Sequence, residues 1–111
     1  MTSLAAGQEH RLGPLSEIPV GEGRAYAVGE TSLAVFRLRS GVVRATQALC
    51  PHAGGPLADG QLDDCVVLCP LHANAYELET GTARSGEGRL AVYPVRVVHG
   101  EVVVTLDAGA S

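Results

Sequence analysis

The sequence is poor in aromatic residues and contains no lysine. Phe, Tyr and Trp together make up 4% of its 111 residues, Trp is absent, and all eight basic residues are arginine. At a formal net charge of −4, the chain lacks the basic stripe that neutralises nucleic-acid phosphates. We therefore expect no binding of nucleic acid.

Long apolar runs are also missing. No stretch reaches the roughly 18 apolar residues that cross a bilayer, and residues 1–8 have neither the basic nor the apolar region of an export signal. The three cysteines are an odd number for a small disulfide framework. These features predict a cytoplasmic protein with no membrane partner and with thiolates that bind metal.

Valine and leucine recur in short runs that are bounded by glycine and proline. Hydrophobic residues make up 46% of the chain, which also holds 14 Gly and 6 Pro, and no window has a convincing helical period. We predict an all-β fold and one domain over residues 1–111, with residues 1–9 flexible and His10 a solvated tail residue. An edge strand followed by a turn is expected over residues 11–20, and strands at 24–28, 33–39, 42–49, 65–68, 90–98 and 101–106, while residues 75–78 would carry the chain away from the site.

Within the strand expected at 33–39, polar and apolar residues alternate. Ala34, Phe36 and Leu38 would face the core, while Arg37 and Arg39 would face water. Tight turns are predicted at residues 40–41 and 99–100. At the second of these, His99 would adopt a positive φ and have no chemical role.

Two short motifs carry the chemistry of the chain. Cys50-Pro51-His52 is followed by sixteen residues, 53 to 68, and then by Cys69-Pro70-Leu71-His72. Two thiolates and two imidazoles could bind tetrahedral zinc, although finger-type zinc sites usually segregate the ligand types along the sequence. Because each loop offers one Cys and one His, a two-iron cluster that gives both thiolates to one iron and both imidazoles to the other fits better.

Residues 50–57 and 69–72 resemble the two cluster-binding boxes of Rieske 2Fe-2S proteins. Shorter flanking matches resemble the Rieske ferredoxins of bacterial aromatic-ring-hydroxylating dioxygenases; they lie at residues 17–19, 21–23, 35–36, 78–81 and 93–95. The resemblance implies an antiparallel β-sandwich with a small cluster-binding subdomain, approximately residues 49–76, formed by two loops.

The resemblance also implies one 2Fe-2S cluster and its ligands. Cys50 and Cys69 would bind one iron, and His52 and His72 the other, with the imidazoles at the surface as the electron's exit. One departure is visible: the family commonly has Gly and then an aromatic after the second His, where this chain has Ala73-Asn74. That change affects the expected backbone turn more than the expected ligation.

The donor set and its surroundings bear on the reduction potential. Two ferric ions, two sulfides and two thiolates sum to zero charge, so reduction is easier than for a four-thiolate cluster. The disulfide of the respiratory members cannot form, because the required cysteines are missing. We expect a potential near the low end of the Rieske range, about −150 mV. Residues 50–83 also contain no Arg and five acidic residues that disfavour reduction, Asp59, Asp63, Asp64, Glu77 and Glu79.

The function implied by the resemblance is electron transfer. The chain would be a monomeric carrier and no enzyme by itself, passing one electron at a time from an NAD(P)H-dependent flavin reductase to a terminal ring-hydroxylating oxygenase through transient contacts. One alternative is the small Rieske subunit of an assimilatory NADH-dependent nitrite reductase. Another is a zinc-stabilised β binding module.

Three further features have competing interpretations. Cys65 is either a spare ligand or redox switch, or, as we favour, a small buried strand residue. Tyr76 either packs in the core, as most strand tyrosines do, or donates a hydrogen bond near the cluster. The acidic segment either docks basic partners or is simply a solvated surface.

Overall fold

The computed structural model describes residues 8–50, 55–70, 75–84 and 88–106, which form ten strands in three antiparallel sheets. No α-helix occurs in these ranges, where the helical segments are two single 3₁₀ turns, Leu15–Glu17 and Leu57–Asp59. The all-β prediction is therefore confirmed. No helix long and apolar enough to cross a bilayer is found in the described ranges.

The strands fall into an outer sheet, a central sheet and a small sheet. The outer sheet has the order β1-β10-β9, the central sheet β2-β3-β4-β8, and the small sheet β5-β6-β7. Their bounds are β1 Gln8–Pro14, β2 Glu22–Val28, β3 Thr31–Arg37, β4 Val43–Gln47, β5 Gln61–Asp63, β6 Val66–Leu68, β7 Ala75–Glu77, β8 Val92–Tyr93, β9 Val95–Val98 and β10 Glu101–Leu106.

Strand β3 is buried on both faces and separates two hydrophobic cores. The first core lies between the outer and central sheets and contains Ile18, Leu33, Val35, Ala45, Val102, Val104 and Leu106. The second core lies between the central and small sheets and contains Ala34, Phe36, Leu38, Cys50, Leu57, Val67, Cys69, Tyr76, Leu78 and Leu90.

The prediction that β3 has one wet side is therefore wrong over most of its length. Leu33 and Val35 point into the first core, opposite Ala34 and Phe36 in the second, and all four are fully buried. Arg37 was expected to face water but is half-buried, because its guanidinium donates a 3.0 Å hydrogen bond to the carbonyl of Ile18. A strand that is covered on both faces has no solvent-exposed face, so polar and apolar residues need not alternate along it.

The segment predicted as one strand at 90–98 is two strands in different sheets. β8 pairs with β4 in the central sheet, whereas β9 pairs with β10 in the outer sheet. Pro94 stands between them, and it has no N–H with which to continue a ladder. Its carbonyl accepts a 2.9 Å hydrogen bond from the Thr105 N–H, so the sheets meet at this residue.

Residues 8–10 belong to β1, so this strand begins earlier than the predicted residue 11. Gln8 pairs with Leu106 and half-buried His10 pairs with Val104, which corrects the expectation of a frayed, solvated segment here. Arg96 on β9 adds a bidentate contact of 2.7 Å to both carboxylate oxygens of Glu9. Residues 1–7 lie outside the described ranges, so the expected flexibility of that part stays a prediction.

The small sheet is an insertion between two neighbouring strands of the central sheet. β4 and β8 pair directly through Ala45 with Tyr93 and Thr46 with Val92, although more than forty residues separate them in sequence. Just beyond, the Gln47 N–H donates to the Ala91 carbonyl at 2.9 Å, and the Ala91 N–H donates to Gln47 Oε1 at 2.7 Å. Both ends of the insertion are thus tied together.

The two predicted tight turns are confirmed. Gly41 has φ 96°, while His99 and Gly100 have φ 51° and 80°. Such paired positive φ values match the twist of a β-hairpin, which explains the direct return of β9 into β10. The three-residue strand β5, in contrast, was not predicted, because its polar sequence Gln-Leu-Asp is typical of a loop.

Candidate metal centre

Cys50 stands at the start of a loop whose two ends are hydrogen-bonded to each other. Beyond β4, Leu49 forms an isolated bridge with Pro56. The Cys50 N–H donates to the Gly55 carbonyl at 2.9 Å, and the Leu57 N–H donates to the Ala48 carbonyl at the same distance. These bonds hold Cys50 in place whatever the conformation of residues 51–54, which lie outside the described ranges.

Cys69 follows β6 directly and opens the second loop. On the far side of this loop, Ala75 pairs with Leu68, so β6 and β7 form the stem on which the loop rests. The 3₁₀ turn after the first loop packs against this stem at Gly60. A side chain at Gly60 would collide with the Leu68 carbonyl, so only glycine lets the chain after the 3₁₀ turn approach β6 so closely.

The two motif cysteines therefore share one buried environment. Cys50 and Cys69 are 3% and 5% exposed, and both belong to the second core. The hydroxyl of fully buried Tyr76 lies 3.5 Å from Cys50 Sγ. Both interpretations of Tyr76 thus apply: it packs in the core and its hydroxyl contacts a motif thiol.

The donor chemistry of this site fits an iron–sulfur cluster. Two buried thiols are soft donors of the kind that such a cluster requires, and each precedes by two or three residues a histidine of the same loop. His52 and His72 lie outside the described residues, so their side chains are not placed. Within the described residues no group of three or more Cys, His, Asp or Glu side chains forms a metal site.

Cys65 is exposed, which contradicts the expectation of a buried strand residue. It follows Asp64, whose φ of 61° makes the turn between β5 and β6, and strand β6 starts only at Val66. The Cys65 carbonyl accepts a 2.9 Å hydrogen bond from the Leu78 N–H. Neither Cys65 nor Cys69 forms a disulfide. Cys65 contributes backbone to the small sheet and lies outside the second core.

The acidic residues of the inserted segment differ in their surroundings. Asp59, Asp63, Asp64 and Glu79 are exposed to solvent. Glu77 instead pairs with Arg84, whose Nε lies 3.3 Å from its carboxylate, and the Arg84 N–H bonds the Ala75 carbonyl at 2.7 Å. The expectation of an acidic segment without arginine is therefore too strong, since Arg84 lies one residue beyond residues 50–83.

Tyr76 is a site residue for which the sequence favoured core packing over a contact with the cluster. Its position four residues after His72 is compatible with both burial and a contact to the site. Side chains alternate between the two faces of β7, and this alternation predicts that Tyr76 is buried. Ala75 and Glu77 are half-buried, while Tyr76 between them is completely buried. The sequence around Tyr76 does not predict that its hydroxyl lies against Cys50.

Comparison with known proteins identifies this arrangement. Residues 8–104 match the family model of the Rieske [2Fe-2S] domain. The anthranilate 1,2-dioxygenase ferredoxin subunit of Burkholderia cepacia is 32% identical over 108 residues, which cover 96% of this chain and 99% of that protein. The 3-phenylpropionate/cinnamic acid dioxygenase ferredoxin subunit of Escherichia coli K12 is 32% identical over 96 residues, with coverage of 84% and 89%.

Solved structures agree in fold. A Sphingomonas yanoikuyae B1 ferredoxin superposes with a TM-score of 0.80 at 29% identity, covering 89% of this chain and 99% of that one. The ferredoxin in a complex of reduced oxygenase and oxidised ferredoxin in carbazole 1,9a-dioxygenase gives 0.78 at 32% identity, with coverage of 87% and 92%. A protein described as an NADH-dependent nitrite reductase small subunit from Mycobacterium tuberculosis gives 0.83 at 23% identity, with coverage of 90% and 96%, and at that identity it shows the fold alone.

Proposed function

The chain belongs to the Rieske [2Fe-2S] domain family and carries one Rieske 2Fe-2S cluster, and from this premise we propose that it is the electron-carrying ferredoxin of a ring-hydroxylating oxygenase system. The observation that supports this most directly is the alignment with a dioxygenase ferredoxin subunit over nearly the full length of both chains. The cluster excludes the zinc-stabilised module as an alternative. In this proposal the chain catalyses no reaction by itself.

The proposed ligands are Cys50 and Cys69 for one iron and His52 and His72 for the other. Burial of both thiols in the second core supports the cysteine half of this assignment. The histidine half rests on the motif spacing. We further propose one domain over residues 1–111 with a cluster-binding subdomain at approximately 49–76, a range that includes the small sheet up to Tyr76.

When bound, the cluster supplies one-electron redox chemistry. The chain's own residues control its surroundings: the apolar side chains of Leu57, Val67 and Leu78 exclude water from the thiolate side. Exclusion of water matters because a thiolate in a low-dielectric site is stabilised chiefly by the few dipoles that reach it. The Tyr76 hydroxyl is one such dipole at Cys50 Sγ.

The proposed partners are an NAD(P)H-dependent flavin reductase as donor and a terminal oxygenase as acceptor, both in transient contact with a monomer. A ferredoxin structure of similar sequence is described in complex with its oxygenase, which supports the acceptor. Exposed Asp63 and Asp64 give the small sheet a negative edge, so a basic partner surface would be favoured. Association would then slow as salt rises, since exposed charges are screened.

The first test is chemical analysis of the purified protein. We expect two irons and two acid-labile sulfides for each chain, and a rhombic electron paramagnetic resonance signal of low average g after reduction with dithionite. His52→Cys and His72→Cys variants should lose that signal, whereas Cys65→Ser should retain it because Cys65 is exposed outside the second core. An unchanged signal in either histidine variant would refute the ligand assignment.

The second test concerns the role of the carrier. A flavin reductase, NADH, this protein and a ring-hydroxylating oxygenase are combined, and hydroxylated product is measured with and without the ferredoxin. Product that depends on the ferredoxin supports the proposal. Stable co-purification with a large flavin and haem subunit would instead favour the nitrite reductase alternative.

A further inference from the structure

Arg44 differs from the other arginines in its surroundings. Arg11, Arg84 and Arg96 form ion pairs, Arg37 bonds to backbone carbonyls, Arg24 stacks on Tyr26, and the remaining two, Arg39 and Arg89, are exposed. Arg44 is half-buried, and its Nε is shielded from solvent without a hydrogen-bond acceptor. No ion pair to Arg44 is formed within the part of the chain that the structure describes. A shielded donor without an acceptor is costly, so an acceptor is expected there.

The Arg44 side chain lies at the seam between the central sheet and the inserted segment. Arg44 pairs with Phe36 across β3 and β4, so it projects on the same side as the second core. There it lines a cavity of about 350 Å³ together with Leu78, Glu79, Val92, Tyr93 and Pro94. The turn that contributes Leu78 and Glu79 follows β7, at the opposite end of that strand from the ligand loop. This cavity is therefore separate from the metal centre.

The walls of this cavity restrict what Arg44 could bind. A guanidinium presents a planar fork of donors that matches a carboxylate or a phosphate. Leu78, Val92 and Pro94 offer apolar surface beside the fork. Glu79, at the rim, repels additional negative charge, so a single carboxylate is favoured over a doubly charged phosphate. The volume is within the range of roughly 300–1,000 Å³ that is usual for small-molecule sites.

We propose that Arg44 anchors a binding site for a small monocarboxylate with a flat apolar body, held at the seam between the central sheet and the inserted segment. The carboxylate accepts hydrogen bonds from the Arg44 guanidinium, including its shielded Nε–H. The apolar body lies against Leu78, Val92 and Pro94.

The test uses the oxidised, cluster-loaded protein and sodium benzoate as the probe, at constant ionic strength. Two-dimensional ¹H–¹⁵N NMR should show saturable shifts at the Arg44 Nε–H and at the amides of Ala45, Leu78 and Tyr93. Benzyl alcohol, which lacks the charge, should cause no comparable shift. Absence of saturable shifts with benzoate would overturn the proposal.

Variants separate this site from general effects of charge. Arg44→Gln should weaken benzoate binding by about 10-fold or more, as expected for loss of a charge-assisted bond. Arg39→Gln, which removes an exposed arginine, should leave binding unchanged. Arg44→Lys retains the charge without the fork and should bind with intermediate affinity, which keeps the test valid if Arg44→Gln folds poorly.

Glu79→Gln addresses the remaining alternative, in which Glu79 itself turns inward to pair with Arg44. Removal of a repelling charge should strengthen benzoate binding that already exists in the wild-type protein. Binding seen in Glu79→Gln and absent in the wild type would contradict the proposal and make Glu79 the acceptor for Arg44.

Discussion

The two cores on either side of β3 are built in different ways. Of the seven residues of the first core, all but Ile18 lie on strands of the outer and central sheets. The second core has ten, and six of them lie outside the strands: Leu38, Cys50, Leu57, Cys69, Leu78 and Leu90. Backbone ladders therefore fix the first core, whereas the second depends more on the packing of loop residues. Both motif cysteines, Cys50 and Cys69, belong to the second core.

This contrast suggests that the second core needs its metal more than the first does. Ordering a residue costs conformational freedom wherever it lies, and outside the ladders fewer backbone hydrogen bonds offset that cost. The proposed ligation at Cys50 and Cys69 would supply a further constraint, as metal binding does in other small domains. The difference between the cores can be tested by damaging each one separately.

The largest effect is expected from removal of a cysteine ligand. Cys50→Ser or Cys69→Ser should abolish the cluster and lower hydrogen-exchange protection in β5, β6 and β7, while β1, β9 and β10 retain theirs. Iron analysis and hydrogen-exchange mass spectrometry measure the two effects. Cys65→Ser is the matched control and should change neither. Equal loss of protection in all three sheets would show that the cores are not separable.

The next largest effect is expected from cavities on the two opposite faces of β3. Leu33→Ala opens a cavity in the first core and should cost about 2–5 kcal/mol of unfolding free energy, and Phe36→Ala about 3–5 kcal/mol in the second. Only Phe36→Ala should also release iron below the unfolding transition. The measurements are denaturant unfolding by circular dichroism and the visible absorbance of the cluster. Early iron loss from Leu33→Ala would contradict the separation of the cores.

A smaller effect is expected at the thiolate contact of Tyr76. Tyr76→Phe removes the hydroxyl 3.5 Å from Cys50 Sγ and leaves the ring in place. Hydrogen bonds to cluster sulfur stabilise the reduced state, so the potential should fall by a few tens of millivolts, roughly the worth of one hydrogen bond. A redox titration compares this variant with the wild type, expected at about −150 mV. Tyr93→Phe should leave the potential unchanged, and an equal shift in both variants would contradict the assignment.

The smallest effect concerns the periphery of the first core, where Tyr26 packs. Burial raises the pKa of Tyr26 above 10.0, an effect that Arg24 opposes and Glu17 reinforces. Because the folded-state pKa is raised, the contribution of Tyr26 to stability is fully present below about pH 10 and is lost as pH rises through the folded-state value. Unfolding midpoints between pH 9 and 11 should fall less in Tyr26→Phe than in the wild type. Parallel decreases would show that Tyr26 has no part in the effect.

Much of this architecture could be predicted because local rules were sufficient. The turns at Gly41 and at His99-Gly100 follow from residues that tolerate positive φ, and the two cysteine motifs are recognisable from spacing alone. The exposure of Cys65 could not be inferred, because an apolar run of Cys-Val-Val-Leu is indistinguishable from a strand that starts one residue later.

The sequence-based predictions were wrong where contacts between distant parts of the chain determine burial, sheet membership and ion pairing. The alternation of β3 was misjudged because the outer sheet, whose strands are distant in sequence, covers the face expected to be wet. The break at Pro94 was missed because both halves of the segment are strands, and only the sheet to which each belongs distinguishes them. The neutralisation of Glu77 depends on a return of the chain at residues 78–83 that local composition does not specify.

Because the two ends of the inserted segment are hydrogen-bonded to each other, the segment could be removed from this fold or transferred to another. Gln47 and Ala91 are held together by two hydrogen bonds, so a short turn could replace residues 48–90 without separating β4 from β8. The remaining sandwich would retain every residue of the first core, and polar replacements for Ala34, Phe36 and Leu38 would make its uncovered face soluble. The same geometry means that the segment could be transplanted onto any antiparallel strand pair whose neighbour offers an apolar face. An electron-transfer module could in this way be added to a protein that has none.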